Sequence, residues 1–137
     1  MTKSISWILD FTSKLPNKEE KIKCLRQNES VLRDIFFFTY HPGIEWLLPE
    51  GTPPYNENKF DNTERVLYAE KRKFYLFVKG GNDNLNQLKR EKIFIDILEE
   101  VHPDDAKLLL AMKEGKLPYK GLTKKLAEEA YPGIFDE

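Results

Sequence analysis

The segment from Asp34 to Pro49 constrains the fold more than any other part of the chain. It reads Asp34-Ile35-Phe36-Phe37-Phe38-Thr39-Tyr40, runs into His41-Pro42-Gly43, and continues through Ile44-Glu45-Trp46-Leu47-Leu48 to Pro49. Val31, Leu32, Ile35, Phe36 and Phe38 keep helical spacing and form one broad apolar face. Phenylalanine and tryptophan bury large apolar areas and dominate packing energetics, so this block has to sit in a core and is expected to nucleate it. After His41-Pro42-Gly43 the pattern predicts one more apolar turn before Pro49 stops it.

The 137-residue length suits a single domain spanning 1–137, large enough to bury a core without disulfides or metal. The one cysteine, Cys24, has no partner for an intramolecular bridge. It lies beside Leu25 in a charged segment, where a half-buried packing role is the simplest reading, and it points to a reducing, intracellular setting. Charged residues make up 33 % of the chain but nearly cancel, leaving a net charge of −1. That balance argues against a general polyanion binder. No apolar run reaches bilayer-spanning length, and the start of the chain lacks the long apolar stretch of a signal peptide. A soluble, cytoplasmic protein is expected.

Helix signals dominate the rest. Ser4 is placed to cap a first helix with Ile5, Ile8, Phe11 or Thr12, and Leu15 inward, ended by Pro16. Asn17 caps a second, with Glu19 and Glu20 in its first turn and Arg26 near its end, a polarity that suits the helix dipole. A third runs from Ser30 to Tyr40. The proline-rich stretch at 49–61 reads as an irregular loop, the longest in the chain; such a loop can carry a binding surface, but a simple connector pinned by Tyr55 and Phe60 is the preferred reading. Asn62 or Thr63 opens the next helix, with Glu64 in its first turn.

The 73–79 segment is rich in strand-forming residues. Helix is the preferred reading, because 84–101 offers no matching strand and instead places Leu85, Leu88, Ile95 and Leu98 at helical spacing, with Phe94, Ile97 and Val101 on an adjoining stripe. Gly80 would then terminate the earlier helix, with Gly80-Gly81-Asn82-Asp83 joining an antiparallel pair. His102-Pro103-Asp104-Asp105 is a helix start, and Gly115 a helix stop. A last helix fits between Gly121 and Tyr131. The expected fold is all-α: a single compact bundle of about six or seven short helices stabilised by tertiary packing.

Residues that could carry chemistry are sparse. Both histidines, His41 and His102, precede proline at helix boundaries, and no zinc-helix spacing or nucleophile elbow accompanies them. The acidic group of Asp96, Glu99, Glu100, His102, Asp104 and Asp105 is the one constellation of the kind that holds Mg²⁺ or Mn²⁺, yet helix capping and solvation explain it more simply. Gly80-Gly81 lacks the remainder of a phosphate-binding loop. A non-catalytic protein with neither cofactor nor metal is therefore expected.

Two binding chemistries fit what is left. The middle of the chain is basic, with Arg65, Lys71, Arg72, Lys73, Lys79, Lys89, Arg90 and Lys92 interleaved with Tyr68, Phe74 and Tyr75, so that Lys71, Arg72, Lys73, Lys89 and Arg90 are candidate nucleic-acid contacts. Lys113, Lys116, Lys120, Lys124 and Lys125 form a second basic cluster, but Glu128 and Glu129 on the last helix oppose a recognition role. Alternatively Trp46, Tyr55, Tyr119 and Tyr131 present aromatic anchors to a protein partner, the residue types that carry interface energy. Each of them also has a simple packing role across helix ends.

Two blocks carry a likeness. Trp46-Leu47-Leu48-Pro49-Glu50-Gly51-Thr52-Pro53-Pro54-Tyr55 is the first; Ala106 to Lys113, continuing from Lys116 through Thr123 to Ala130-Tyr131-Pro132-Gly133, is the second. Together they resemble a family of small uncharacterised proteins of T4-like tailed phages, the cyanophage type in particular. The resemblance implies a viral origin and expression inside a bacterial host. It transfers no activity and no site residue. For such a protein, a non-catalytic accessory role through binding a host factor or a phage assembly component is the preferred reading, with nucleic-acid binding by the basic middle as the alternative.

Overall fold

The computed structural model describes residues 3–59 and 66–136, without the side chain of Val66. Among them are α1 (Ile5–Ser13), α2 (Lys18–Gln27), α3 (Glu29–Tyr40), α4 (Val66–Glu70), a 3₁₀ segment (Lys71–Phe77), α5 (Gln87–Glu100), α6 (Pro103–Lys113) and α7 (Lys124–Ala130). The fold is all-α. The expected helix start at Asn62, Thr63 and Glu64, the Phe60 pin and Arg65 lie outside the described residues. No helix among the described residues is long and apolar enough to cross a membrane.

Local chemistry sets the helix starts. Ser4 Oγ accepts the Trp7 N–H at 3.2 Å, Asn17 Oδ1 the Glu20 N–H at 2.9 Å, and Thr123 Oγ1 the Leu126 N–H at 3.2 Å. His102 does the same with a ring nitrogen, Nδ1 accepting the Asp104 N–H at 3.0 Å, and Pro103 follows at the first helical position. Each such cap is worth about 1 kcal/mol, because it satisfies a backbone donor that the helix cannot. Gly115, at φ +88°, closes α6 in the left-handed conformation that a Cβ would disfavour.

The core forms around α3, which packs on α2, α6 and α7. Leu32, Ile35 and Phe36 are fully buried there, together with Phe74, Phe77, Phe94, Leu98, Leu109 and Met112. α3 stops where Pro42 removes a donor. In a continuing helix the Phe38 carbonyl would take the N–H of residue 42, and proline has none. The Trp46 indole fills the gap, Nε1 donating to Phe38 O at 3.0 Å.

That contact goes with a departure from the expected helical turn at 44–48. The backbone there is extended, with Leu47 N–H donating to Phe77 O at 2.7 Å and Lys79 N–H to Glu45 O at 2.9 Å around a single antiparallel bridge between Trp46 and Val78. The 73–79 segment is accordingly mixed. Its 3₁₀ turns run to Phe77, and Val78 is extended. Side chains three apart eclipse in a 3₁₀ helix, so Lys71, Phe74 and Phe77 share one stripe and the two phenylalanines both reach the core. Gly80 (φ +91°) serves the turn after the bridge rather than a helix end. At Gly81 an added Cβ would meet the Tyr75 carbonyl oxygen at 1.8 Å, so only glycine allows that approach.

On two helices the packing chooses between faces that helical spacing left open. On α1 the buried stripe is Ile5, Leu9 and Thr12, which leaves Phe11 48 % exposed. On α5 the inward stripe is Arg90, Phe94, Ile97 and Leu98, and Leu85 precedes the helix. Leu88 stands two residues from Arg90, about 200° around the helix, and is 79 % exposed.

Candidate binding surface at the N-terminal helix

Three of the four expected aromatic anchors are committed to packing within the chain. The Trp46 ring lies 6.3 Å from Phe77, nearly parallel, and 6.5 Å from Phe38, edge-on. Tyr131 is buried against Phe36, its hydroxyl donating to Leu25 O, and burial pushes its pKa well up. Tyr55 is half-buried on the core, which also raises its pKa. Tyr55 also borders an open cleft with Glu99 and Glu100, and Tyr119 lines a cleft beside α1.

The basic candidates divide in the same way. Arg90 is only 4 % exposed: Nε donates to Leu76 O at 2.8 Å, one Nη to Asn82 O at 3.0 Å, and the other to Gln87 Oε1. It clasps the Val78–Asn86 connection and has no reach to a phosphate. Lys71 Nζ donates to Ser30 O at 2.9 Å, pairs with Asp34 at 3.3 Å and lies 4.7 Å from the centre of the Tyr68 ring. Lys73 pairs with Glu70 at 2.8 Å. Only Arg72 and Lys89 of the five are exposed. In the second cluster Lys113 is buried, donating to Pro49 O and Gly51 O at 2.9 Å each.

Lys113 thus straps the proline-rich loop. Gln87 Nε2 also donates to Leu47 O at 2.8 Å, Glu99 Oε2 accepts the Asn56 N–H at 2.8 Å, and Asn58 Nδ2 donates to Glu100 O at 2.6 Å. A loop held at so many points is part of the framework. The acidic constellation is dispersed by similar commitments: Asp96 pairs with Lys92, Glu99 holds the loop, His102 caps α6, and Asp105 turns to α1. Among the described residues no three metal-ligating side chains converge.

A cleft of about 510 Å³ opens where α1, the start of α6 and the Pro118-Tyr119 turn meet. From α1 come Ser6, Trp7 and Asp10, with Ser4 at its cap. The start of α6 gives His102, Asp104 and Lys107, and Tyr119 closes the third side. Trp7 is 48 % exposed and stacks on Phe11 with centroids 5.4 Å apart and planes 11° from parallel. Lys3 Nζ lies 5.2 Å from the Trp7 ring centre.

Behind the cleft sits Asp105, 0 % exposed. Its Oδ1 accepts the Ser6 N–H at 2.9 Å, while Oδ2 has no partner in hydrogen-bond geometry among the described residues. Burial raises its pKa, partly offset by Ser6, whose hydroxyl and N–H favour the charged form. Tyr119 is raised further still, by burial first and then by the charges of Asp105, Asp104 and Asp10. The cleft is acidic at its base and aromatic at its walls.

The family of unknown function DUF6433 matches residues 8–119. The chain belongs to DUF6433. No curated protein matches it. The DUF6433 match spans the cleft side chains from Asp10 to Tyr119, with Trp7 one residue before it.

In this DUF6433 chain Trp7 was not among the expected anchors, and Phe11, offered with Thr12 as an inward residue, lies outside beside it. A signal was available. They stand four apart on α1, while Ile5 and Leu9 stand four apart on another face, so this helix is apolar on two sides. Only one of those sides can be covered by the core behind it.

Proposed function

We propose that this DUF6433 chain acts without catalysis, by binding another protein through the exposed face of α1 and the cleft beside it. The stacked, solvent-exposed Trp7–Phe11 pair carries the reading. Exposed tryptophan and phenylalanine contribute nothing to the core and are the residue types that anchor interfaces. The cleft does not favour hydrolysis, although serine, histidine and aspartate all occur there. His102 Nδ1 is occupied by the Asp104 N–H, and Asp105 is bound to the Ser6 backbone, so the carboxylate does not orient the imidazole as a catalytic relay requires. A phage accessory role in the host cytoplasm rests on the resemblance of the two sequence blocks.

The test is an affinity pull-down from bacterial lysate, with and without nuclease, comparing the native chain with the Trp7→Ser/Phe11→Ser double variant. A protein captured by the native chain in near-equal amount after nuclease, and lost in the variant, supports the proposal. Enrichment that nuclease abolishes and the variant retains would transfer the function to nucleic acid and to Arg72 and Lys89.

A further inference from the structure

Resting on that reading, we infer that the α1–α6 cleft receives an arginine side chain of the protein partner, its guanidinium between the Trp7 ring and the cleft carboxylates. Three observations converge on a cation. First, the Trp7 ring face already carries one, the chain's own Lys3 ammonium at 5.2 Å, within the range at which an aromatic quadrupole attracts positive charge. A tethered surface lysine is a ligand that a partner can displace.

Second, the charged lining is predominantly acidic. Asp104 is exposed, with His102 Nδ1 3.9 Å from its carboxylate. Among the described residues Asp10 pairs with exposed Lys14 at 3.0 Å, the type of contact that contributes little and exchanges readily. Lys107 is the one cation among the lining residues, and it is exposed.

Third, Asp105 is wholly buried, and among the described residues its Oδ2 has no partner in hydrogen-bond geometry, an expensive arrangement for a carboxylate. It stands behind the cleft wall, where it accepts the N–H of the lining residue Ser6. A cation in the cleft would offset that buried charge. A guanidinium fits better than an ammonium, because it is planar, stacks on an indole and still offers donors at its edge to carboxylates on either side. The adjoining Phe11 extends the apolar wall, so an apolar neighbour of the arginine would lie against it.

The experiment titrates the full ¹⁵N-labelled chain with two capped pentapeptides, Gly-Leu-Arg-Leu-Gly and the same peptide with citrulline, the neutral isostere of arginine. The two indole N–H resonances provide signal and control, since Trp46 donates to Phe38 O within the fold and Trp7 lines the cleft. The expected result is a shift of the Trp7 indole and the Ser6 and Tyr119 amides, half-complete at a concentration roughly fivefold or more lower for arginine than for citrulline, with Trp46 still. The preference should shrink in Asp104→Asn and in Asp105→Asn, and the arginine peptide should bind more tightly to Lys3→Ala. Asp104 is exposed, so its variant reads the charge even where Asp105→Asn fails to fold.

Equal response to both peptides at Trp7 would overturn the arginine assignment and leave the protein-binding reading standing. Silence at Trp7 with both peptides would overturn it too, and the Trp7→Ser/Phe11→Ser pull-down would then judge protein binding independently.

Discussion

The chain has two tryptophans, and their surroundings differ in every respect that matters for stability. Trp46 sits on extended backbone beneath Phe38 and Phe77, and its indole N–H satisfies a carbonyl that Pro42 leaves without a donor. Trp7 lies on a helix whose other side faces the core, half in solvent, stacked on an equally exposed Phe11. One tryptophan completes the polar accounting of the fold, and the other is surplus to it. Aromatic density in a sequence therefore does not separate framework from interface. What separates them is whether the ring answers a need created by the chain around it.

The sharpest way to break this contrast is to truncate each ring and compare melting by calorimetry or circular dichroism. Trp46→Ala should cost about 3 kcal/mol, since it opens a cavity beside Phe77 and orphans the Phe38 carbonyl. A loss under about 1 kcal/mol would show that the 45–47 and 77–79 pairing does not depend on the ring. Arg90→Ala comes next, at about 2 kcal/mol, because Leu76 O and Asn82 O lose a charged donor. Amide exchange should then quicken in the Val78–Asn86 connection before the rest of α5. Uniform exchange there would contradict the clasp.

A smaller, pH-dependent effect is expected at Asp105. Burial raises its pKa above the ordinary 3.8, so the folded chain holds that proton to higher pH than the unfolded chain does. Its contribution is thus least unfavourable at low pH and grows more costly as pH rises through the raised value, with His102 moderating the cost and Asp104 adding to it. Melting of Asp105→Asn should fall behind the native chain least near neutral pH and most in acid, a trend that pH-resolved melting curves would reveal; parallel curves would contradict it. The smallest effect belongs to Trp7→Ser, within about 1 kcal/mol of native, since it gives up only an exposed stack on Phe11 and an exposed cation contact with Lys3. A cost near that of Trp46→Ala would make Trp7 a framework residue and end the contrast.

Several features were legible because their causes are local. Ser4, Asn17 and the His102-Pro103 start announce helices through caps that need only the next few residues, and Gly115 announces an end through its own conformational freedom. The aromatic block of α3 was readable as core because nothing else could hide so much apolar surface. The cleft was only partly readable. Tyr119 was among the expected anchors, and Asp104, Asp105 and His102 stood together as a suspected metal cluster, but their grouping with Ser6 and Trp7 spans almost a hundred residues of sequence. Spacing left Phe11 and Thr12 as alternatives and offered two stripes on α5, because it defines a stripe without saying which one the neighbours will cover. They covered Thr12 and the Phe94–Ile97 side, leaving Leu88 outside.

The all-helical class, the capped starts and the aromatic core followed from the sequence by itself, since each depends on periodicity or on contacts a few residues apart. Tertiary structure alone decided that residues 45–47 pair with 77–79, that Arg90 and Lys113 turn inward as clasps, and that Trp7 remains outside while Trp46 does not. In each case the deciding partner is distant along the chain: a carbonyl or a ring that becomes available only after the helices have packed. Which side chain answers an unmet hydrogen bond, and which is left over for a partner, is a property of the assembled fold.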